Sequence, residues 1–195
     1  MRFDIPTDHK KIRARIRSYE RKLEKDIIEF GGMAGDGYGK RYLLIPLYLI
    51  DGDLQGALNA YDWLKNNFKE NSGDCFNDFC TILLFYRTDR IKDAIKKIID
   101  VIFENKYVIP NFLDGKPIPS SEFVYEDPEL SPSTIYMPQE YINLWNNNEI
   151  EWLRNIYNNE YILQTLEKYS KREFRKSREI QNELRKYLFE KLNLN

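Results

Sequence analysis

Residues 51–68, DGDLQGALNAYDWLKNNF, and residues 87–102, RTDRIKDAIKKIIDVI, decide the fold. The first opens on the turn Asp51-Gly52-Asp53 and the second on Arg87-Thr88-Asp89. Leu54, Ala57, Leu58, Tyr61, Leu64 and Phe68 follow the first turn. Ile91, Ala94, Ile95, Ile98, Val101 and Ile102 follow the second. Both sets fall at helical spacing, which puts one apolar stripe on each helix. The pairs Leu54/Ile91, Ala57/Ala94, Leu58/Ile95 and Leu64/Val101 are each 37 residues apart. A small residue one turn into each helix lets its neighbour approach closely. Upstream of each turn lies another apolar run, Leu43–Ile50 and Cys75–Tyr86. Each copy therefore reads helix–turn–helix. Neither helix can bury its stripe alone, and stacking the pairs buries both.

The turn followed by x-x-Ala-[Leu/Ile], here Ala57-Leu58 and Ala94-Ile95, resembles the tetratricopeptide (TPR) class of helical repeat, whose period is about 34 residues. Residues 105–119, with Pro110, Leu113 and Gly115, are similar to a proline-containing segment of one TPR-like group. That group includes the suppression-of-tumorigenicity proteins and MYND- and SEC-C-associated bacterial proteins. Trp145, followed by Glu151-Trp152-Leu153, is similar to the group's next segment. Lys106 stands where that group has proline, and Ile109 is inserted before Pro110. The resemblance implies an all-α fold. The expected architecture is a short α-solenoid of TPR-like helix–turn–helix pairs, with an N-terminal amphipathic helix and long C-terminal helices. It carries over no catalytic residues.

The expected organisation is one all-α domain over residues 1–195. An N-terminal helix occupies 1–31, the two helical pairs 38–105, a proline-containing connector 106–137 and the C-terminal helices 138–195. In the first of these, Thr7 is placed to cap a helix. Ile12, Ile16, Tyr19, Leu23, Ile27 and Phe30 recur at spacings of four, three, four, four and three before Gly31-Gly32. That is a long amphipathic helix, expected to dock on the first pair. The connector holds Pro110, Pro117, Pro119, Pro128 and Pro132. After the break at Asn146-Asn147-Asn148 the chain is helical again, and residues 160–192 read as one or two long helices.

Composition places the chain among globular proteins: 42% of its 195 residues are hydrophobic and 31% charged. The apolar run Leu43–Ile50 is too short to span a bilayer. Residues 1–6 lack the apolar core of a signal peptide. Two cysteines do not make a disulfide framework. A soluble, cytoplasmic protein is the expectation. The net charge of −1 is unevenly spread, at +6 over residues 10–25, −10 over 26–166 and +4 over 167–191.

No catalytic, cofactor or metal site stands out. Gly35-x-Gly37-x-Gly39-Lys40 has the look of an anion-binding loop, but phosphate fingerprints follow a strand and here a helix precedes. Cys75 and Cys80, five apart on one helix, point about 140° apart and do not share a metal. His9 is the only histidine. Asp51, Asp53, Asp89 and Asp93 sit at turns and helix starts, where capping accounts for them. The chain thus reads as a non-enzymatic protein–protein interaction module, a TPR-like scaffold or adaptor without cofactor, whose partner is another protein or peptide. The alternative is nucleic-acid binding through the basic terminal helices. Lys171, Arg172, Arg175, Lys176 and Arg178 then form the candidate basic surface, joined by Lys10, Lys11, Arg13 and Arg17.

Overall fold

The computed structural model describes residues 5–30, 39–68, 75–116, 118–119, 134–135, 139–168 and 178–194. These are helical apart from turns and one two-residue strand pair. Helix α1 runs His9–Phe30. Its N-cap is Asp8 rather than Thr7: Asp8 Oδ1 accepts from the Lys11 amide at 2.9 Å. Ile12, Ile16 and Leu23 are buried. The stripe is not covered to its end, because Phe30 is 52% exposed.

A 3-10 turn, Lys40–Leu43, leads into α2, Leu44–Asp51. Pro46 is the third residue of α2. Amides in the first turn have no helical acceptor, so proline costs no hydrogen bond there. Helices α3 (Leu54–Asn67), α4 (Cys75–Arg87) and α5 (Ile91–Glu104) follow. The ends of α2 and α4 close with the same hydrogen bonds. The Gly52 amide donates to Leu49 O and the Asp53 amide to Tyr48 O. Thirty-seven residues on, the Asp89 amide donates to Tyr86 O and the Arg90 amide to Phe85 O. This is the Schellman closure, which needs a left-handed residue. Gly52 supplies it at φ 81° and Asp89 at φ 57°.

Of the four aspartates expected to cap, only Asp53 does, accepting from the Gly56 amide at 2.8 Å. Asp93 instead pairs with Arg90 and Lys96. Asp89 holds the left-handed turn. Asp51 is spent on α1, as shown below. Ala57, Ala94 and Ile95 are fully buried, and Leu58 is half-buried.

The start of the proposed connector is itself helical. Helix α6, Val108–Leu113, carries Pro110 as its third residue and closes over Gly115 at φ 66°. Strands β1 (Ile118–Pro119) and β2 (Thr134–Ile135) pair antiparallel, Ile118 opposite Ile135. Helices α7 (Gln139–Ile142), α8 (Asn147–Tyr157), α9 (Glu160–Lys168) and α10 (Arg178–Lys191) complete the described chain. The expected break at Asn146–Asn148 narrows to Asn146. Its side chain accepts from the Glu149 amide while Glu149 reaches back to the Asn146 amide, a capping box.

Two apolar cores meet at α4, which is buried on opposite faces. Phe76, Cys80 and Leu84, spaced by four, join the core built with α1, α2 and α3. Phe79, Ile82 and Leu83 join the core built with α5, α6, α8, α9 and α10. Cys80 is thus a core residue; the side chain of Cys75 lies outside the described residues. Phe79, Phe112 and Trp145 pack in one aromatic group in the second core, with Phe79 stacked on Trp145 and edge-on to Phe112. Charged ties cross the same seams. Arg87 at the end of α4 pairs with buried Glu149 of the capping box at 2.7 Å and donates to Leu144 O. Arg185 of α10 pairs with Asp100 of α5 at 2.7 Å, and Lys97 with Asp78 at 2.8 Å.

Candidate binding cleft

Helix α1 lies along α2, and its first turns meet the carboxylate that ends α2. His9 and Arg13 are four apart, hence on one helical face. Both reach Asp51. His9 Nδ1 is 2.8 Å from Asp51 Oδ1, and Arg13 Nε donates to Oδ2 at 2.7 Å. Since an ionised carboxylate only accepts, His9 Nδ1 is the donor. The Asp51 side chain is 5% exposed, whereas His9 and Arg13 are 63% and 60% exposed. A carboxylate at a helix C-terminus meets the negative end of the dipole, and the Arg13 guanidinium offsets that. Burial alone would raise the Asp51 pKa. The hydrogen bonds and charges of Arg13 and His9 outweigh it and hold the carboxyl below its ordinary value.

Beside this clamp opens a cleft of about 350 Å³, lined by Arg13, Ile16 and Arg17 of α1, Tyr48 and Asp51 of α2, and the turn residues Gly52 and Asp53. Gly52 is there for its left-handed backbone, φ 81°, and not for space, since a Cβ built there would meet nothing within 4 Å. Tyr48 stands at the inner wall and donates from its hydroxyl to Glu20 Oε1 at 2.5 Å. Burial and then that hydrogen bond push the Tyr48 phenol well above its ordinary pKa. It stays protonated at neutral pH and offers no phenolate. The Arg17 guanidinium has no hydrogen-bond or ion-pair partner among the described residues. The lining therefore combines guanidinium donors of Arg17 and Arg13 with the carboxylates of Asp53 and Asp51. That arrangement suits a ligand carrying both donors and acceptors, such as a peptide backbone with polar side chains.

Of the residues singled out from sequence as a basic surface, Arg13 and Arg17 line the cleft. Lys171, Arg172, Arg175 and Lys176 lie outside the described residues, as does the side chain of Arg178, which opens α10. Ala57, Leu58, Ala94 and Ile95 belong to α3 and α5, Pro110 and Leu113 to α6 and Gly115 to the turn after it, and none of them lines the cleft. Of the glycine-rich loop, residues 31–38 lie outside the described residues, Gly39 is left-handed and Lys40 opens the 3-10 turn. From sequence Asp51 reads as a cap and His9 only as the one histidine of the chain. The usable signal was the i, i+4 series His9, Arg13, Arg17 on a helix expected to dock. Among the described residues, no group of three His, Cys, Asp or Glu could hold a metal ion, and no helix is long and apolar enough to cross a membrane. No family model, curated protein or solved structure matches the chain.

Proposed function

We propose that this chain is a non-enzymatic binding module that holds an extended segment of another protein in the cleft between α1 and the α2–α3 turn. The observation that carries the reading is the Arg17 guanidinium, without a partner among the described residues, in an open cleft that Asp53 also lines. On this reading helices α2 to α5 are two stacked units of the TPR-like kind. The matching turn hydrogen bonds 37 residues apart and the fully buried Ala57 and Ala94 support that. Helical repeats of that kind offer grooves to peptides. Against nucleic-acid binding, Arg13 of the candidate basic surface is engaged on Asp51.

The test is affinity capture from the native cell with the wild-type chain and with Arg17→Glu. A partner held by the first and lost by the second is expected. Capture of the same partner by both overturns the cleft as the site. Salt-steep, sequence-indifferent binding to mixed DNA overturns the choice of a protein partner, since phosphate contacts give a log–log slope of about −0.9 per contact.

A further inference from the structure

A second depression lies on the same face. Glu20, Glu24, Leu44, Asn59, Ala60 and Trp63 line a cavity of about 170 Å³. Small-molecule pockets run to roughly 300–1,000 Å³, so this one is on the scale of a single side chain. Leu44 and Ala60 are buried and supply an apolar floor. Above it stand an indole and two carboxylates one helical turn apart. Glu20 is held in place by the Tyr48 hydroxyl on Oε1, which leaves acceptor capacity on its other oxygen. An aromatic ring beside carboxylates over an apolar floor suits one kind of side chain. It is a long aliphatic stem ending in a cation: the stem lies on the floor, the head meets the ring and the carboxylates.

The two depressions share a line on α1. Arg13, Arg17, Glu20 and Glu24 recur at spacings of four, three and four, which is one helical stripe. Its first half is basic and its second acidic. The Tyr48–Glu20 hydrogen bond joins a wall of the first cleft to a wall of the second. The midpoints of the Arg pair and the Glu pair are seven residues apart, about 10 Å at the helical rise. An extended chain advances about 3.3 Å per residue, so it covers that distance in about three residues.

We propose that the groove along α1 takes an extended peptide whose Lys or Arg enters the Glu20–Glu24–Trp63 pocket and whose Asp or Glu, about three residues away, meets Arg17. This rests on the peptide-binding reading above and names its specificity.

The experiment uses the full chain and an array of twelve-residue peptides in an Ala/Ser background. Each carries one Asp and one Lys at separations of one to six, with matched peptides in which Lys is acetylated. Binding is read by fluorescence anisotropy of the best members, and the fold of each variant is checked by its melt. Strongest binding at a separation near three is expected, with a loss of at least about tenfold on acetylation. Glu24→Lys and Trp63→Leu should weaken the lysine peptide by a similar factor and leave the acetylated one unchanged. Binding indifferent to acetylation, to separation or to Glu24→Lys overturns the proposal. If the captured partner is lost by Arg17→Glu but kept by Glu24→Lys, the cleft stands and the cation pocket falls.

Discussion

Replacing Gly56 with Ala should destabilise the protein, although the residue sits inside a helix where that change ordinarily helps. Gly56 is the third residue of α3, has ordinary helical backbone and carries no positive φ. By propensity alone, Ala there would gain about 1 kcal/mol. The structure reverses the sign. A Cβ at Gly56 would lie 2.3 Å from Tyr48 Cε1, 2.5 Å from Tyr48 Cδ1 and 2.6 Å from Asp53 Oδ2. The ring cannot simply swing away, because the Tyr48 hydroxyl is tethered to Glu20. The Asp53 carboxylate is likewise held, as the N-cap of α3 on the Gly56 amide.

Overpacking a well-filled contact costs about 1–3 kcal/mol, and loss of the cap about 1 kcal/mol. Set against the propensity gain, the net loss is about 1–3 kcal/mol. Urea melts of the wild type and Gly56→Ala measure it at constant m-value. A second background makes the mechanism testable. With Tyr48→Ala the ring is gone, and adding Gly56→Ala should then be close to neutral or stabilising. A variant Gly56→Ala at least as stable as wild type refutes the close-approach argument. So does an equal loss in both backgrounds.

Ala57→Leu and Ala94→Leu should each cost about 1–3 kcal/mol in urea melts, because both alanines are fully buried at helix seams; neutral outcomes at both would refute the 37-residue register. Arg87→Ala leaves Glu149 buried without its cation and should cost about 3 kcal/mol, the low end for broken buried pairs since Arg87 is 24% exposed. The pH dependence follows from Asp51, whose folded pKa lies below its ordinary 3.8. Its stabilising share is present above the unfolded value and is lost as pH falls through the lower folded one. Acid melts of Asp51→Asn should lack that share of the fall.

What the sequence makes legible is what repeats locally. The stripes of α3 and α5 and the small residues Ala57 and Ala94 are spaced within single helices, so periodicity finds them. Gly52 announces its left-handed turn because glycine alone adopts it freely. Asp89 makes the same turn in the second pair without glycine; the 37-residue register sets it at the Gly52 position, and the hydrogen bonds show that it takes the same conformation. Gly56 is silent for a different reason. Its constraint comes from Tyr48, eight residues back across the turn, and nothing in a glycine names the side chain that needs its space.

The cleft was the least legible part, and charge shows why. Segment sums of +6, −10 and +4 describe how much charge each stretch holds, not which groups touch. Arg13 and Arg17 look alike in sequence, one turn apart on the same basic helix. The structure spends Arg13 on Asp51 and leaves Arg17 without a partner among the described residues. The difference is made by where α2 ends. Its last residue is an aspartate whose carboxylate arrives opposite His9 and Arg13, at separations of 42 and 38 residues. Which cation of α1 is paired and which is left open is therefore set by the register between two helix ends, which only the packed chain fixes.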